Sequence, residues 1–211
     1  MPVRAWVKNT IYDHTPGLVR RGPPNAKRVA LTFDDGPDHL TTSYLDLLDE
    51  LGVPATFFVI GARAEANPAL VREYLRRGHQ VAGHGFDHMR FPKLTRRELL
   101  EQITRTDRAL GFQITGRSWV RPPHGSIDAA SLVTLLTNGY KVAMWSLDSC
   151  DYGTDDAGKV VEACGPDRVS AGEVLLFHEG QQWTLDALPR IITGLHAAGY
   201  ECVTMHDLLA A

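Results

Sequence analysis

Short apolar runs alternate about seven times with amphipathic helical stretches, and this alternation limits the fold more than any other feature of the 211-residue chain. The runs read as strands at 29–33, 55–60, 79–82, 118–120, 141–147, 173–177 and 201–204. Residues 29–33 and 55–60 are apolar almost throughout, the pattern of strands covered on both faces. Between the strands, helices are expected at 40–51, 68–77, 95–110, 128–138, 155–164 and 184–198, with a terminal helix at 205–210. Leu40, Tyr44, Leu47, Leu48 and Leu51 form a helical stripe. Thr95 with Glu98 makes a capping box, and Pro68 suits a first helical turn. Strand and helix in this order imply an α/β fold, a parallel sheet covered by helices and either open or closed into a barrel. Residues 1–27, broken by Pro16, Gly17, Gly22, Pro23 and Pro24, read as an N-terminal arm packed on one domain spanning 28–211.

At 44% hydrophobic residues, the chain can bury one large core. A net charge of -3 without a basic stripe gives no footing for a nucleic-acid partner. Cys150, Cys164 and Cys202 are odd in number and lack metal-ligand spacing, so no disulfide framework is expected. No apolar run approaches the roughly 20 residues of a membrane span. Residues 1–17 lack the apolar core of a signal peptide. Either the protein stays inside or the chain was trimmed, and the compartment is left open.

Ligands of parallel α/β sheets sit at the carboxyl ends of the strands. The chemically unusual residues fall there. Asp34 and Asp35 follow the first strand, His84 and His88 the third, Arg121 to Gly125 the fourth and Asp148 to Tyr152 the fifth, while His178 ends the sixth. Two adjacent carboxylates at the end of a buried strand need a neutralising partner, most simply a metal ion. His84 and His88, four residues apart, would face one way on a helical turn and share that metal. Two imidazoles and one carboxylate suit a catalytic zinc with open positions, and equally the facial triad of non-haem iron. The second aspartate is then placed to take a proton from water. Arg121 can pair with that base, and the backbone N–H groups of His124 and Gly125 can point at an oxyanion. His178 suits a general acid for a leaving amine, kept protonated by Asp151 or Asp148. Trp145, Tyr152 and Leu176 can wall a small acyl pocket.

The ordered motifs Thr32-Phe33-Asp34-Asp35-Gly36-Pro37, His84 with His88, Arg121-Pro122-Pro123-His124-Gly125, Asp148-Ser149-Cys150-Asp151-Tyr152 and Leu176-Phe177-His178 together resemble those of a known family. It is the polysaccharide deacetylases with the NodB homology domain, carbohydrate esterase family 4. The resemblance runs from about Arg28 to Leu209. It implies a distorted (β/α) barrel with about seven parallel strands. It implies Asp34 as general base, Asp35, His84 and His88 as metal ligands, and Arg121 as the residue orienting the base. The backbone at position 124 would help hold the oxyanion, and His178, tuned by Asp151, would be the general acid. Four positions depart from the family's usual residues: Gly85 for Ser or Thr, His124 for Tyr, Tyr152 for Trp and Glu179 for Asp.

The expected activity is removal of N-acetyl groups from an amino-sugar polymer or oligomer of the chitin or peptidoglycan type. The expected cofactor is a divalent metal, zinc first, with cobalt, nickel or manganese as alternatives. The substrate class suggests the cell envelope, and a monomer is expected. Five other readings stand beside it. They are an O-acetyl esterase on acetylxylan or exopolysaccharide, a hydrolase of another C–N bond, a non-haem iron oxygenase, an aspartyl-phosphate phosphatase and an inactive carbohydrate-binding relative.

Overall fold

The computed structural model describes residues 15–111 and 118–210. Its centre is a strand whose two faces do different work. In β2 (Arg28–Asp34), Val29, Leu31 and Phe33 point outward into the largest apolar cluster, between sheet and helices. Ala30, Thr32 and Asp34 alternate with them and face the barrel interior, as the two-residue period of a strand requires. Phe33 stacks on Phe57 at 5.2 Å and Phe177 at 5.5 Å and meets Tyr44 edge-on at 5.5 Å.

Around β2 the sheet includes β1 (Leu18–Val19), β3 (Thr56–Val59), β4 (Gln80–Gly83), β5 (Trp119–Val120), β6 (Lys141–Ala143), β7 (Leu147–Asp148), β8 (Val174–His178) and β9 (Glu201–Val203). The order is β1-β6-β5-β4-β3-β2-β8-β7, every strand pair is parallel, and β9 adds to the lower half of β2 through Arg28–Ala30. The helices are α1 (Thr41–Leu51), α2 (Gly61–Ala66), α3 (Pro68–Arg76), α4 (Arg96–Ala109), α5 (Ala129–Thr137), α6 (Ala157–Cys164), α7 (Gln182–Ala197) and α8 (Met205–Leu208). The result is a distorted (β/α) barrel. Met205 and Leu208 of α8 plug its lower end against Ala30, Ala82 and Ala143.

The strand expected at 141–147 is two strands. β6 lies between β5 and β1, whereas β7 lies against β8. In the 144–146 crossing, Met144 N–H bonds Val19 O at 2.7 Å and Ser146 N–H bonds Val174 O at 3.0 Å. A barrel this small leaves a seam. One segment spans its upper part, and Leu18–Val19 fills the lower part beside β6. Residues 1–14 of the expected arm lie outside the described residues. The alanine-rich α2 falls between the strand expected at 55–60 and the helix expected at 68–77, where no element is expected from the sequence. Helix α6 begins at Ala157, where Asp156 caps it by accepting from Gly158 N–H at 2.7 Å. The capping box of Thr95 and Glu98 is present. Among the described residues, no helix is long and apolar enough to cross a membrane.

Phe33 carries the contact between β2 and three other aromatic rings. Phe33→Ala is expected to lower unfolding free energy by about 3–5 kcal/mol in denaturant titration. A loss below about 1 kcal/mol would show that the ring stack does not hold the sheet to its helices.

Candidate active site

Strand alternation should send Asp34 and Asp35 to opposite faces. The chain avoids this at Asp35, whose φ of 74° is left-handed and swings its carboxylate back over the barrel mouth. Both acids therefore open on one cavity of about 390 Å3. His88 and His124 are left-handed as well, at φ 60° and 57°, and both line that cavity. Such conformations cost about 1 kcal/mol or more each and gather where function fixes a side chain.

Asp34 is buried and bonded through Oδ1 to Arg121 Nη1 at 2.7 Å. Arg121 is fully buried. Its Nη1 also reaches Thr32 Oγ1 at 2.9 Å, its Nη2 reaches Met144 O at 3.0 Å, and its guanidinium lies 3.9 Å from the centre of the Phe58 ring. Burial works against the arginine's charge, and Asp34 beside it works for it. Arg121 does not line the cavity and acts from behind Asp34.

Asp35 Oδ1 lies 3.1 Å from His88 Nε2 and 3.5 Å from His84 Nε2. One ligand atom from each of the three residues falls within 4.8 Å of the others. Asp35 Oδ1 is buried yet has no aligned hydrogen-bond partner among the described residues, and such an orphan calls for a partner. Burial alone would raise the Asp35 carboxyl, but the imidazoles of His88, His84 and His178 override it and hold it below the usual carboxylate range. His84 Nδ1 is 2.9 Å from Arg121 O. A proton on Nδ1 donated to that carbonyl leaves the Nε2 lone pair toward Asp35. Burial also pushes the His84 pKa down, so the ring favours the neutral form a metal needs. These donors fit a divalent cation.

The two histidines do not share a helical turn. Residues 84–90 form no helix, because Gly85 at φ 72° bends the chain and Gln102 Oε1 takes the N–H groups of Phe86 at 2.9 Å and Asp87 at 3.1 Å. The rings converge at 5.0 Å by this loop path.

Across the cavity, His178 is the register partner of Asp34 on the adjacent strand. Its Nδ1 sits 2.7 Å from Asp151 Oδ1. Asp151 is fully buried and its Oδ2 accepts from His178 N–H and from Thr184 Oγ1, each at 2.8 Å, while its carbonyl accepts from Trp183 Nε1 at 2.7 Å. Asp148, the other carboxylate considered for this role, instead accepts from Cys150 N–H at 2.8 Å. Burial pulls the His178 pKa down, but the bond to Asp151 and the charges of Asp151, Asp34 and Asp35 raise it to about 9.

The remaining expected residues divide. Leu176 is buried in the cavity wall, and Trp145 lies beside it. Tyr152 stands at the mouth, 63% exposed, edge-on to His178 at 5.5 Å. Gly125 is not the expected backbone donor, because its N–H is given to Pro122 O at 3.0 Å. Its role is space, since a Cβ there would come within 2.6 Å of Trp145. The N–H of His124 is the remaining donor of that pair. In the sequence, Thr32 appears only as the first residue of a motif, with no role, and Arg63, Thr184 and Trp183 carry no motif. Arg63 Nη1 holds Asp35 O at 2.6 Å. Their nearest signal is register, as Thr32 lies two residues before Asp34 on the same face.

The family model described as polysaccharide deacetylase matches residues 21–143. A peptidoglycan-N-acetylglucosamine deacetylase, PgdA, of Listeria monocytogenes is 36% identical over 185 residues, covering 86% of this chain and 39% of that protein. This chain thus spans about two fifths of that relative's length. A chitooligosaccharide deacetylase of Sinorhizobium fredii is 34% identical over 198 residues, covering 86% of this chain and 92% of that protein. Among solved structures, the peptidoglycan N-acetylglucosamine deacetylase Bc1960 superposes with a TM-score of 0.87 at 30% identity, covering 100% of this chain and 98% of that one.

A titration with cobalt, followed by its absorption spectrum, is expected to saturate at about one ion per chain. Asp35→Ala and His88→Ala should each weaken that binding more than about tenfold. Unchanged affinity in both variants would remove these residues from the ligand set.

Proposed function

The chain belongs to the polysaccharide deacetylase family, and from that membership we propose that it is a metal-dependent hydrolase removing N-acetyl groups from an amino-sugar polysaccharide or oligosaccharide. The observation that carries the reading is the pair Asp34 and His178, register neighbours that flank the cavity with Asp35, His84 and His88 beside them. We assign zinc as the metal, held by Asp35, His84 and His88. When bound, the ion supplies Lewis-acid polarisation of the acetyl carbonyl.

Asp34 takes the proton of the attacking water. Its Oδ1 is spent on Arg121, which leaves Oδ2 facing the cavity, 3.6 Å from His84 Nε2. Arg121 thus fixes the aim of the base. The His124 backbone N–H assists the developing oxyanion. His178, protonated and turned by Asp151, gives its Nε2 proton to the leaving nitrogen. Leu176 and Trp145 exclude water from the acetyl methyl group.

The acid assembly favours an amide over an ester. An amine departs poorly as an anion and needs a proton in the transition state, whereas an alkoxide leaving group needs one less. An aspartyl-phosphate role would require Asp34 as a free nucleophile, and the bond to Arg121 opposes that. A facial-triad oxygenase gives Asp34 and His178 no task. An inactive relative has no need to keep base, acid and both of their buried partners.

Zinc-loaded protein should release acetate and free amine in equal amounts from an N-acetylglucosamine oligomer. Asp34→Asn should cut turnover by about two to four orders of magnitude while zinc stays bound. If the variant loses zinc instead, the two aspartates have been assigned the wrong way round. The acid form of His178 persists below its pKa of about 9 and is lost as pH rises through that value. The alkaline limb of kcat/KM should therefore lie near pH 9 and move lower in Asp151→Asn. A limb that stays in place in Asp151→Asn would exclude the pair from the acid role.

A further inference from the structure

Arginines at the rim are of two kinds. Arg121 is committed to Asp34 and Arg63 to the carbonyl of Asp35. Arg90 lines the same cavity, is exposed, and makes no side-chain hydrogen bond or ion pair among the described residues. Its backbone is well anchored. Phe91 beside it is fully buried, Lys93 N–H bonds Arg90 O at 3.0 Å, and Leu94 N–H bonds Phe91 O at 3.0 Å. The loop therefore fixes the Arg90 backbone at the mouth on the β4 side, with its side chain lining the cavity.

The opposite side of the mouth carries the other sign. Asp148, at the end of β7, lines the cavity four places away from β4 in the strand order. The neighbouring groove, lined by the same loop and by α4, holds Lys93 and Arg105 but also Asp87, Glu98 and Glu101, so it carries no excess positive charge. With a net charge of -3, the molecule as a whole offers an anion no attraction. Sugar hydroxyls are read well by neutral groups and carboxylates. A free guanidinium, with its planar fork, matches a carboxylate.

We propose that Arg90 is a specificity-determining residue that binds a carboxylate carried by the glycan near the scissile amide. The preferred substrate is then an acidic N-acetylated polymer rather than a neutral one, oriented with its acid toward β4 and away from Asp148. This rests on reading the site as a deacetylase.

The test uses zinc-loaded protein and four oligomers of equal length. One is neutral N-acetylglucosamine. In the second, alternate rings bear a free lactyl-ether carboxylate. In the third those carboxylates are amidated, and in the fourth they are capped by short peptides with their own carboxylates. The wild type should favour an oligomer with free carboxylates over the amidated one by about tenfold in kcat/KM at low salt, and less at high salt. The second and fourth arms separate a ring carboxylate from a peptide one. Arg90→Gln should collapse that ratio and Arg90→Lys should retain part of it. Equal kcat/KM for all four, or a preference that survives Arg90→Gln, overturns the proposal. Calorimetric affinities for Asp34→Asn separate the two readings. Acid-selective binding without turnover by the wild type refutes the deacetylase and leaves Arg90 its role, whereas turnover without selectivity does the reverse.

Discussion

The buried pair of Arg121 and Asp34 is the interaction on which the rest of the site depends. Removing two charges from water costs several kcal/mol per ion, and attraction offsets this only with good geometry and further hydrogen bonds. Arg121 has these in Thr32 Oγ1 and Met144 O as well as in Asp34. Its carbonyl also faces His84 Nδ1, so one residue fixes both the base and the tautomer of a candidate ligand. Thr32 and Asp34 reach the guanidinium because they share the inward face of β2. Met144 reaches it because the chain leaves β6 there to cross to β8. The break in the 141–147 segment is thus part of the support of the base.

A second support repeats the pattern. Asp151, fully buried, is bonded by His178 twice and by Thr184 once. Base and acid each lean on a buried partner of opposite charge that does not line the cavity. The left-handed residues serve the same end. Asp35, His88, His124 and Cys150 are the non-glycine residues with positive φ among the described residues, and all lie on the loops of the barrel mouth. Cys150 at φ 54° turns the chain so that Asp151 returns beneath His178.

Much of this was legible in the sequence because it depends on period and order. The apolar runs at 29–33 and 55–60 gave β2 and β3, and the capping residues Thr95 and Glu98 gave the start of α4. The residues around the cavity could be named because strand ends in a parallel sheet gather on one rim. What stayed hidden depends on conformations that residue type does not dictate. His84 and His88 have helical spacing, but Gly85 and the bonds from Gln102 bring them together along a loop. Gly125 looked like a backbone donor, and only the turn itself shows its N–H spent on Pro122 O. The division of 141–147 follows from barrel closure, a long-range requirement with no local signature. Arg90 resembled any surface arginine until the cavity gave it a position.

The central claim is that Arg121 withdraws Asp34 from metal binding and so leaves it free as a base, with Asp35 as the ligand. A crystal structure of the zinc-loaded protein with acetate tests this most directly. The account predicts zinc on Asp35 and on Nε2 of His84 and His88, with Asp34 still paired to Arg121 and outside the coordination sphere. Zinc bound by Asp34, or Arg121 turned away from it, would contradict the account.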